Sequence, residues 1–436
     1  MNKCGPYILA GNVGTLFIFS CLILTPGDIL QAQSDLVEPN VPAVLSLDTT
    51  WDLVMTSNAS LEVANRDIRM AQADQRQAGL WPNPELSVEI EGIGGTGPWS
   101  GFNGAETTIA ISQPIETAGK VSKRRRIAET RTRQAEHGYV SQRRHTHAQA
   151  TKAFYAVLAA QQALDLAQQN MTAAENLSQA VSQRVAGGKD SPIKQTQAAI
   201  TVSEQRMAVA EAEVRLSAAR QNLAALWGST EPKFAKVTGN FDQIAKLPTP
   251  EQVLARIDEH PAALQWQAVV AEAQADLALA KADPVPDITL VGGYKRLEDV
   301  GQNTAVIGLA LPLPVYHRNQ GSKERATLAL GRTRRLQRQA EVTLITTLKI
   351  RYQCLTNAAA QATELRDEIL PRAEQAYTAS VTAYEQGKFD YLEILDAQRT
   401  LFETKQRTLD ALESYHKAKA DLEALVGPLK TDGRKS

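Results

Sequence analysis

Four stretches without glycine or proline limit the folds available to this 436-residue chain more than any other feature. They cover residues 139–186, 193–227, 332–370 and 388–426, and they are rich in Ala, Gln, Glu, Arg and Leu. This composition is typical of long helices with narrow apolar seams. At 1.5 Å per residue the first stretch alone would be roughly 70 Å long. Isolated helices are marginally stable in water, so each of these needs neighbours along its whole length.

The stretch that follows Pro192 indicates how such neighbours are arranged. Its apolar residues recur every seven positions in two stripes, which are Ile193, Ile200, Met207 and Val214, and Val202, Val209, Leu216 and Leu223. An offset of two residues separates the stripes by about 200° around the helix axis. Two opposed stripes predict a helix with a neighbour on each side, as in a curved wall. The alternative, a four-helix bundle, would show one wide stripe per helix.

The chain repeats itself once, with a period of about 200 residues. The matching segments are LWPNPEL at 80–86 with ADPVPDI at 282–288, SQPI at 112–115 with ALPL at 310–313, AGGK at 186–189 with EQGK at 385–388, and LWG at 226–228 with LVG at 425–427. These matches predict one repeat at 47–228 and a second at 248–427. A linker at 229–247 joins them, and 428–436 forms a C-terminal tail.

Each repeat also contains two short strands. The Pro-x-Pro signal forces extended backbone, and Leu86, Val88 and Ile90 then alternate with polar residues, which is the period of a strand. Its partner is predicted at 106–112, and the second repeat supplies strands at 287–294 and 304–311. Trp81, Trp99 and Tyr294 are expected at strand ends or in loops, where aromatic residues mark a membrane interface.

The N-terminus reads as a secretory signal peptide over residues 1–32, with cleavage near Gln33 and a linker at 33–46. Cys4 and Cys21 lie in the signal, which leaves Cys354 alone and excludes an internal disulfide. Cys21 is a poor lipid-attachment site, since a bulky Phe19 stands where a small residue is preferred. Beyond the N-terminus, no apolar run of about 20 residues occurs, which argues against a helical membrane protein.

The same sequence argues against several function classes. A net charge of −1 removes the electrostatic reason to expect a nucleic-acid partner. No nucleophile triad, phosphate loop or cysteine cluster is visible, so neither an enzyme nor a cofactor is predicted. A metal site is not expected either, because His145 and His147 are two residues apart and would diverge on a helix.

The order of these elements resembles the outer-membrane efflux ducts typified by TolC. Helix, Pro-x-Pro strand, strand ending in Gln-Pro or Leu-Pro, long helix, glycine turn and long helix occur in that order twice over 47–427. The motif LPLPVYHRNQG at 311–321 further resembles the heavy-metal, CzcC-like branch. The resemblance implies a mainly α fold with a membrane β-barrel contribution: four strands per protomer, twelve in a homotrimer, above a periplasmic α-helical tunnel.

The resemblance also implies a function and partners. The chain would be the passive outer-membrane component of a tripartite efflux system in a Gram-negative bacterium, carrying heavy-metal cations or drugs. Its partners would be a periplasmic adaptor, an inner-membrane pump of the resistance-nodulation-division class and outer-membrane lipid. Two alternatives stay open, which are a duct for type I protein secretion and a periplasmic helical adaptor or scaffold.

The resemblance suggests two functional sites. Glu393 and Asp396 share a helix face and match the paired acidic positions that line the tunnel constriction in TolC-like ducts; they are the predicted channel gate. The alternative is an ordinary exposed acidic face. The predicted adaptor-docking tip lies at the two glycine turns and consists of Gly187, Gly188, Lys189, Gly387, Lys388 and Asp390. Here the alternative is plain turn chemistry.

Basic residues follow both strand pairs. They are Lys120, Lys123, Arg124, Arg125 and Arg126 in the first repeat, and Lys323, Arg325, Arg332, Arg334 and Arg335 in the second. We expect them to be solvated helix ends close to the membrane, where they could also meet lipid phosphates.

Overall fold

The computed structural model describes residues 40–429 apart from Asp258 and Gly387, and the described residues from Val41 to Leu429 belong to one compact unit. The predicted signal peptide, its cleavage site and Cys21 lie outside the described residues. The helices are α1 (Leu47–Ser57), α2 (Ala59–Ala78), α3 (Lys120–Ala186), α4 (Pro192–Ala225), α5 (Pro250–Leu254), α6 (Pro261–Ala282), α7 (Gln320–Glu364), α8 (Leu370–Glu385) and α9 (Tyr391–Val426). The strands are β1 (Val44–Leu45), β2 (Glu85–Glu91), β3 (Glu106–Ile115), β4 (Lys236–Val237), β5 (Ile288–Leu297) and β6 (Gln302–Ala310).

Helix α3 is longer than its glycine-free stretch predicts. It has 67 residues, begins after Gly119 and passes through Gly138 without interruption. One interior glycine costs a helix only about 1 kcal/mol relative to alanine. The contacts of α3 with α2 and α6 offset that cost, so the helix extends to the sheet.

The last helices of the chain accommodate a proline. Between α7 and α8 the backbone forms a π-helical turn, Leu365–Ile369, and Pro371 follows in the first turn of α8. In a continuous α-helix the proline ring would clash with the carbonyl of Asp367, four residues earlier. A wider turn at this place lets the two helices continue one another. Among the described residues, no helix is both long and apolar enough to cross a bilayer.

The long helices lie side by side in the order α4, α3, α9 and α7–α8 near the glycine turns, and in the order α2, α3, α6 and α7 near the sheet. Only one of the two predicted stripes of α4 meets a neighbour within the chain. Leu223 of the inner stripe is fully buried, and α4 packs on α3. The other stripe, Ile193, Ile200, Met207 and Val214, is 54–70% exposed.

The strands form an antiparallel sheet in the order β2-β3-β5-β6. Its register places Leu86 beside Ile111, Ile109 beside Tyr294, and Leu290 beside Leu309, so apolar side chains share one face. Glutamates of β2 and Lys295 of β5 occupy the other face.

One expectation about the sheet is wrong. Tyr294 lies inside β5 rather than at its end, because β5 continues to Leu297 and pairs there with Glu106 at the start of β3. Lys295 forms ion pairs with Glu106 and Glu91 and stabilises this extension. Trp81 and Trp99 lie outside the strands, as predicted.

The main core lies around the middle of α3, where the chain connecting the repeats crosses the helices. Strand β1 pairs in parallel with β4, and Phe234 and Phe241 of the connecting segment are buried. The rings of Tyr155 and His416 stack with their centroids 3.7 Å apart. His416 Nε2 also makes a 2.7 Å hydrogen bond with the carbonyl oxygen of Phe241. The predicted linker is therefore a packed part of the core.

We expect acid to destabilise this core through His416. Burial lowers the pKa of His416 from 6.5 to about 4, so the unfolded chain binds a proton that the folded chain excludes between those values. The contribution of neutral His416 to the free energy of unfolding is therefore fully present above pH 6.5 and is lost as the pH drops towards 4. His416→Gln, which retains an N–H donor, should lose less thermal stability between pH 7 and 4.5 than the wild type. Circular dichroism melts measure this, and an equal loss in both proteins would contradict it.

Candidate functional site

The predicted tip residues lie in two turns of similar construction. After α3, Lys189 N–H donates to the carbonyl of Arg184 at 2.9 Å, and Gly188 has φ of 68°, a conformation that favours glycine. After α8, Lys388 N–H donates to the carbonyl of Ala383 at 2.8 Å. Gly187 also lies in the first turn, whereas Gly387 is outside the described residues. Lys189 and Lys388 are both exposed.

An ion cluster joins the two turns. Asp190, whose side chain is 5% exposed, receives Arg184 Nε at 2.6 Å and Lys194 Nζ at 3.0 Å. Lys194 also pairs with Asp390 of the second turn. Arg184 lowers the pKa of Asp190, and Lys194 lowers the pKa of Asp390. Both carboxylates therefore stay charged well into the acid range, and Lys194 connects the two helical hairpins.

Beneath this ion cluster lies a small apolar cluster that both hairpins share. Its buried members are Val181, Ala198, Tyr384, Tyr391 and Ile394. The guanidinium of Arg184 lies 4.8 Å from the centroid of the Tyr384 ring, a cation–π contact. The tip is thus a packed unit in which apolar contacts and ion pairs act on the same four helices.

Glu393 and Asp396 lie at the start of α9, just above the tip. Both are exposed, whereas Ile394 and Gln398 of the same helix are buried. Glu393 also has a local structural role, because its carboxylate accepts the N–H of Asp390 at 2.7 Å in a capping box. The two carboxylates therefore share an exposed face of α9, and one of them supports the helix start.

The sequence did not predict all residues of the ion cluster. Arg184 and Lys194 were not among the predicted tip residues. Asp190 belongs to the first of the two predicted turns but had no role assigned, although Asp190 and Lys194 have the i,i+4 spacing of a helical ion pair. The pair between Lys194 and Asp390 joins residues 196 positions apart. No local spacing rule predicts such a contact.

The basic residues below the sheet are only partly solvated, which corrects the expectation for two of them. Lys120 has a side chain that is 10% exposed and pairs with Asp287 at 2.8 Å. Arg124 makes two hydrogen bonds with Glu116, at 2.6 and 2.7 Å. Within the fold, Asp287 beside the second Pro-x-Pro segment compensates the charge of Lys120, and Glu116 between β3 and α3 compensates the charge of Arg124.

The histidines do not converge in the described part of the chain. His147 stacks on Trp51 with ring centroids 4.2 Å apart, while His145 is exposed. Within residues 40–429, Asp258 and Gly387 aside, no group of three His, Cys, Asp or Glu residues could hold a metal ion.

Comparison with known proteins agrees with this architecture. The family model described as "Outer membrane efflux protein" matches residues 52–229 and 255–428. The cobalt-zinc-cadmium resistance protein CzcC of Cupriavidus metallidurans is 33% identical over 91% of this chain and 95% of its own length. The nickel and cobalt resistance protein CnrC of the same species is 26% identical over 75% of this chain and 76% of its own. A crystal structure of CusC has a TM-score of 0.75 at 19% identity, covering 88% of this chain and 92% of that one.

The chain belongs to the outer membrane efflux protein family, since the family model covers most of it in two matching halves. It is an outer-membrane channel component with a periplasmic helical part, and it transports rather than catalyses. The fold is that of the TolC-like channels, as the sequence predicted.

We expect Lys194→Gln to loosen the tip without unfolding the protein. The change removes the cation that joins Asp190 to Asp390, while Arg184 still pairs with Asp190. Backbone amides near residues 181–201 and 384–395 should exchange hydrogen at least several-fold faster. Hydrogen–deuterium exchange measures this, with Lys189→Gln as the matched exposed-lysine control. Equal exchange in the two variants would show that the bridge does not hold the hairpins together.

Proposed function

We propose that this chain is the exit duct of a tripartite efflux system that removes divalent heavy-metal cations such as cobalt, zinc and cadmium. We infer the substrate class from the match to the cobalt-zinc-cadmium resistance protein CzcC, which spans nearly the full length of both chains. The duct supplies a passive path, so an inner-membrane pump of the resistance-nodulation-division class and a periplasmic adaptor would drive and connect it.

We infer further that three copies form the working duct. The protomer has two open edges: β2 and β6 are the outer strands of the sheet, and the exposed stripe of α4 lies opposite its contact with α3. At the other edge, α8 presents a surface of small side chains that includes Thr378, Ala379, Thr382 and Ala383. Different surfaces at the two edges favour a head-to-tail ring. Three protomers would supply twelve strands.

The gate proposal places Glu393 and Asp396 around the threefold axis of this ring. Both side chains lie on an exposed face of α9, whereas Ile394 and Gln398 of the same helix are buried. Six carboxylates held close together would repel one another and attract cations. The arrangement would suit a duct for cations, and the packed tip would hold the entrance narrow against this repulsion until the tip opens.

The docking proposal assigns the tip to the adaptor. Gly187, Gly188, Lys189 and Lys388 are exposed at the turns, so an adaptor could reach their backbone and ammonium groups. Asp390 has a different part in this proposal, because it already pairs with Lys194. It would hold the two turns at a fixed spacing for the adaptor.

Deletion of the gene should lower resistance to cobalt, zinc and cadmium by severalfold, and the intact gene should restore it, because the pump would lose its exit. Growth inhibition by each metal and by a panel of drugs measures this. Sensitivity to drugs alone would contradict the metal assignment, and loss of a secreted protein would support the secretion duct instead.

When the deletion strain carries the double variant Lys189→Glu with Lys388→Glu instead of the intact gene, both metal resistance and cross-linking of the channel to the adaptor should be reduced. The amount of channel protein should be unchanged. Retention of both would count against docking at the tip.

Replacing Glu393 and Asp396 together by Thr should raise single-channel conductance in planar bilayers severalfold and weaken cation selectivity. The reason is the removal of the cation site at the constriction, where a bound cation would obstruct the passage of others. A double variant of two exposed carboxylates on α3, Asp165→Thr with Glu175→Thr, is a control for equal loss of charge. Unchanged conductance and selectivity in the first variant would remove the gate assignment.

A further inference from the structure

The two repeats correspond residue by residue where strands lead into long helices. Gly119 and Asn319 both adopt left-handed backbone, with φ of 65° and 55°, immediately before α3 and α7. Lys123 N–H donates to Gly119 O at 3.1 Å, and Lys323 N–H donates to Asn319 O at 3.0 Å. The two strand pairs have the matching registers Ser87 with Ala110 and Thr289 with Ala310. Each residue of β3 therefore corresponds to the residue about 200 positions later in β6.

The strands nevertheless end at different places. β3 continues five residues beyond Ala110, to Ile115, whereas β6 ends at Ala310, the counterpart of Ala110. The extra part of β3 is paired with β5, where Gln113 lies opposite Leu290 and Ile115 opposite Ile288. In the described sheet, β6 has a partner on one side only. Residues 311–315 therefore lack the neighbour that makes their counterparts a strand.

We propose that residues 311–315 extend β6 in the assembled protein by pairing with β2 of a second copy of this chain. The inference rests on the trimer of the proposed function and specifies its contact. The register follows from the β3–β5 pair, because β2 corresponds to β5: the signal Pro84-Glu85 matches Pro286-Asp287. Leu311 would lie opposite Ile90, Leu313 opposite Val88, and Val315 opposite Leu86 of the neighbouring copy.

This register pairs exposed apolar side chains with one another. Leu313 is 76% exposed and Val88 61% exposed in the single chain. The cross-strand pairs would continue the apolar face that the sheet already presents. In the single chain, Val315 N–H donates to Leu313 O at 2.9 Å, and that turn would open as the ladder bonds form.

The prolines of this segment fit the same explanation. Pro114 of β3 is tolerated because it lies beyond Ser112, where pairing with β2 ends, so only one side of the strand needs donors. Pro312 and Pro314 likewise lie beyond Ala310, where pairing with β5 ends. Their missing N–H groups can face the unpaired side.

The turn after the strand extends the same correspondence. Within the chain, the carboxylate of Asp287 accepts Thr117 N–H and Lys120 Nζ, both at 2.8 Å. The counterpart of Asp287 is Glu85, which is exposed, and the counterpart of Thr117 is His317. Glu85 of the neighbouring copy would therefore accept His317 N–H, with Gln320 in the place of Lys120.

A competing register would use only the strands that the single chain already contains. It would place Ile307 opposite Val88 of the neighbouring copy and leave residues 311–315 unpaired. Both registers keep apolar side chains on one face, so the hydrophobic pattern does not distinguish them. The two registers are distinguished only by the correspondence between the repeats.

Cysteine cross-linking separates the two registers. In full-length protein carrying Cys354→Ser, the variant Val88→Cys with Leu313→Cys should form disulfide-linked subunits after mild oxidation, at a yield at least several-fold above Val88→Cys alone. The variant Val88→Cys with Ile307→Cys should stay at the level of that single-cysteine control. Non-reducing gels measure the links, and light scattering of the same detergent-solubilised samples measures the number of subunits.

Each outcome decides the question. Linking at 307, or no linking at 313 in a sample of trimeric mass, would overturn the register and leave the trimer intact. A sample of monomeric mass without links at either position would overturn the trimer itself.

Discussion

Lateral packing along α3 is the interaction on which the rest of this protein depends. In proteins most helical stability comes from packing against neighbours, so the 67 residues of this helix depend on contacts along its whole length. α1, α2, α4, α6 and α9 each pack against part of it. The sheet lies at one end of α3, the core with Phe154 surrounds its middle, and the ion cluster of Arg184 lies at the other end. One helix thus fixes the spacing between the membrane part and the tip.

The same packing leaves the outer helices and strands of the chain without a neighbour on one side. In the row of helices near the glycine turns, α3 and α9 have a neighbour on both sides. The outer helices of that row, α4 and α8, each have an exposed face. The sheet repeats this arrangement, since β3 and β5 are paired on both sides and β2 and β6 on one. The internal repeat offers a reason: under the proposed trimer, each contact between the two halves of a chain would have a counterpart that a second copy completes. The open edges of the monomer are thus the surfaces that the proposed ring would use.

Much of this could be predicted because the strongest signals are periodic and local. Long stretches without glycine or proline predicted the helices, and alternation around Val88 predicted the strands. The departures have physical causes that single-residue rules miss: tertiary contacts offset the cost of Gly138, and a π-helical turn accommodates Pro371. Pairing with Glu106 extended β5 beyond Tyr294. The bridge between Lys194 and Asp390 could be identified only in the folded structure, because it joins residues from different repeats.

We propose that the open edges of identical chains close on one another to form a duct. Electron cryo-microscopy of the full chain, solubilised in detergent without adaptor or pump, tests this most directly. We expect a threefold ring with twelve continuous strands, in which β6 of each copy lies beside β2 of the next. Single chains with free sheet edges, or dimers joined through a twofold axis, would contradict it.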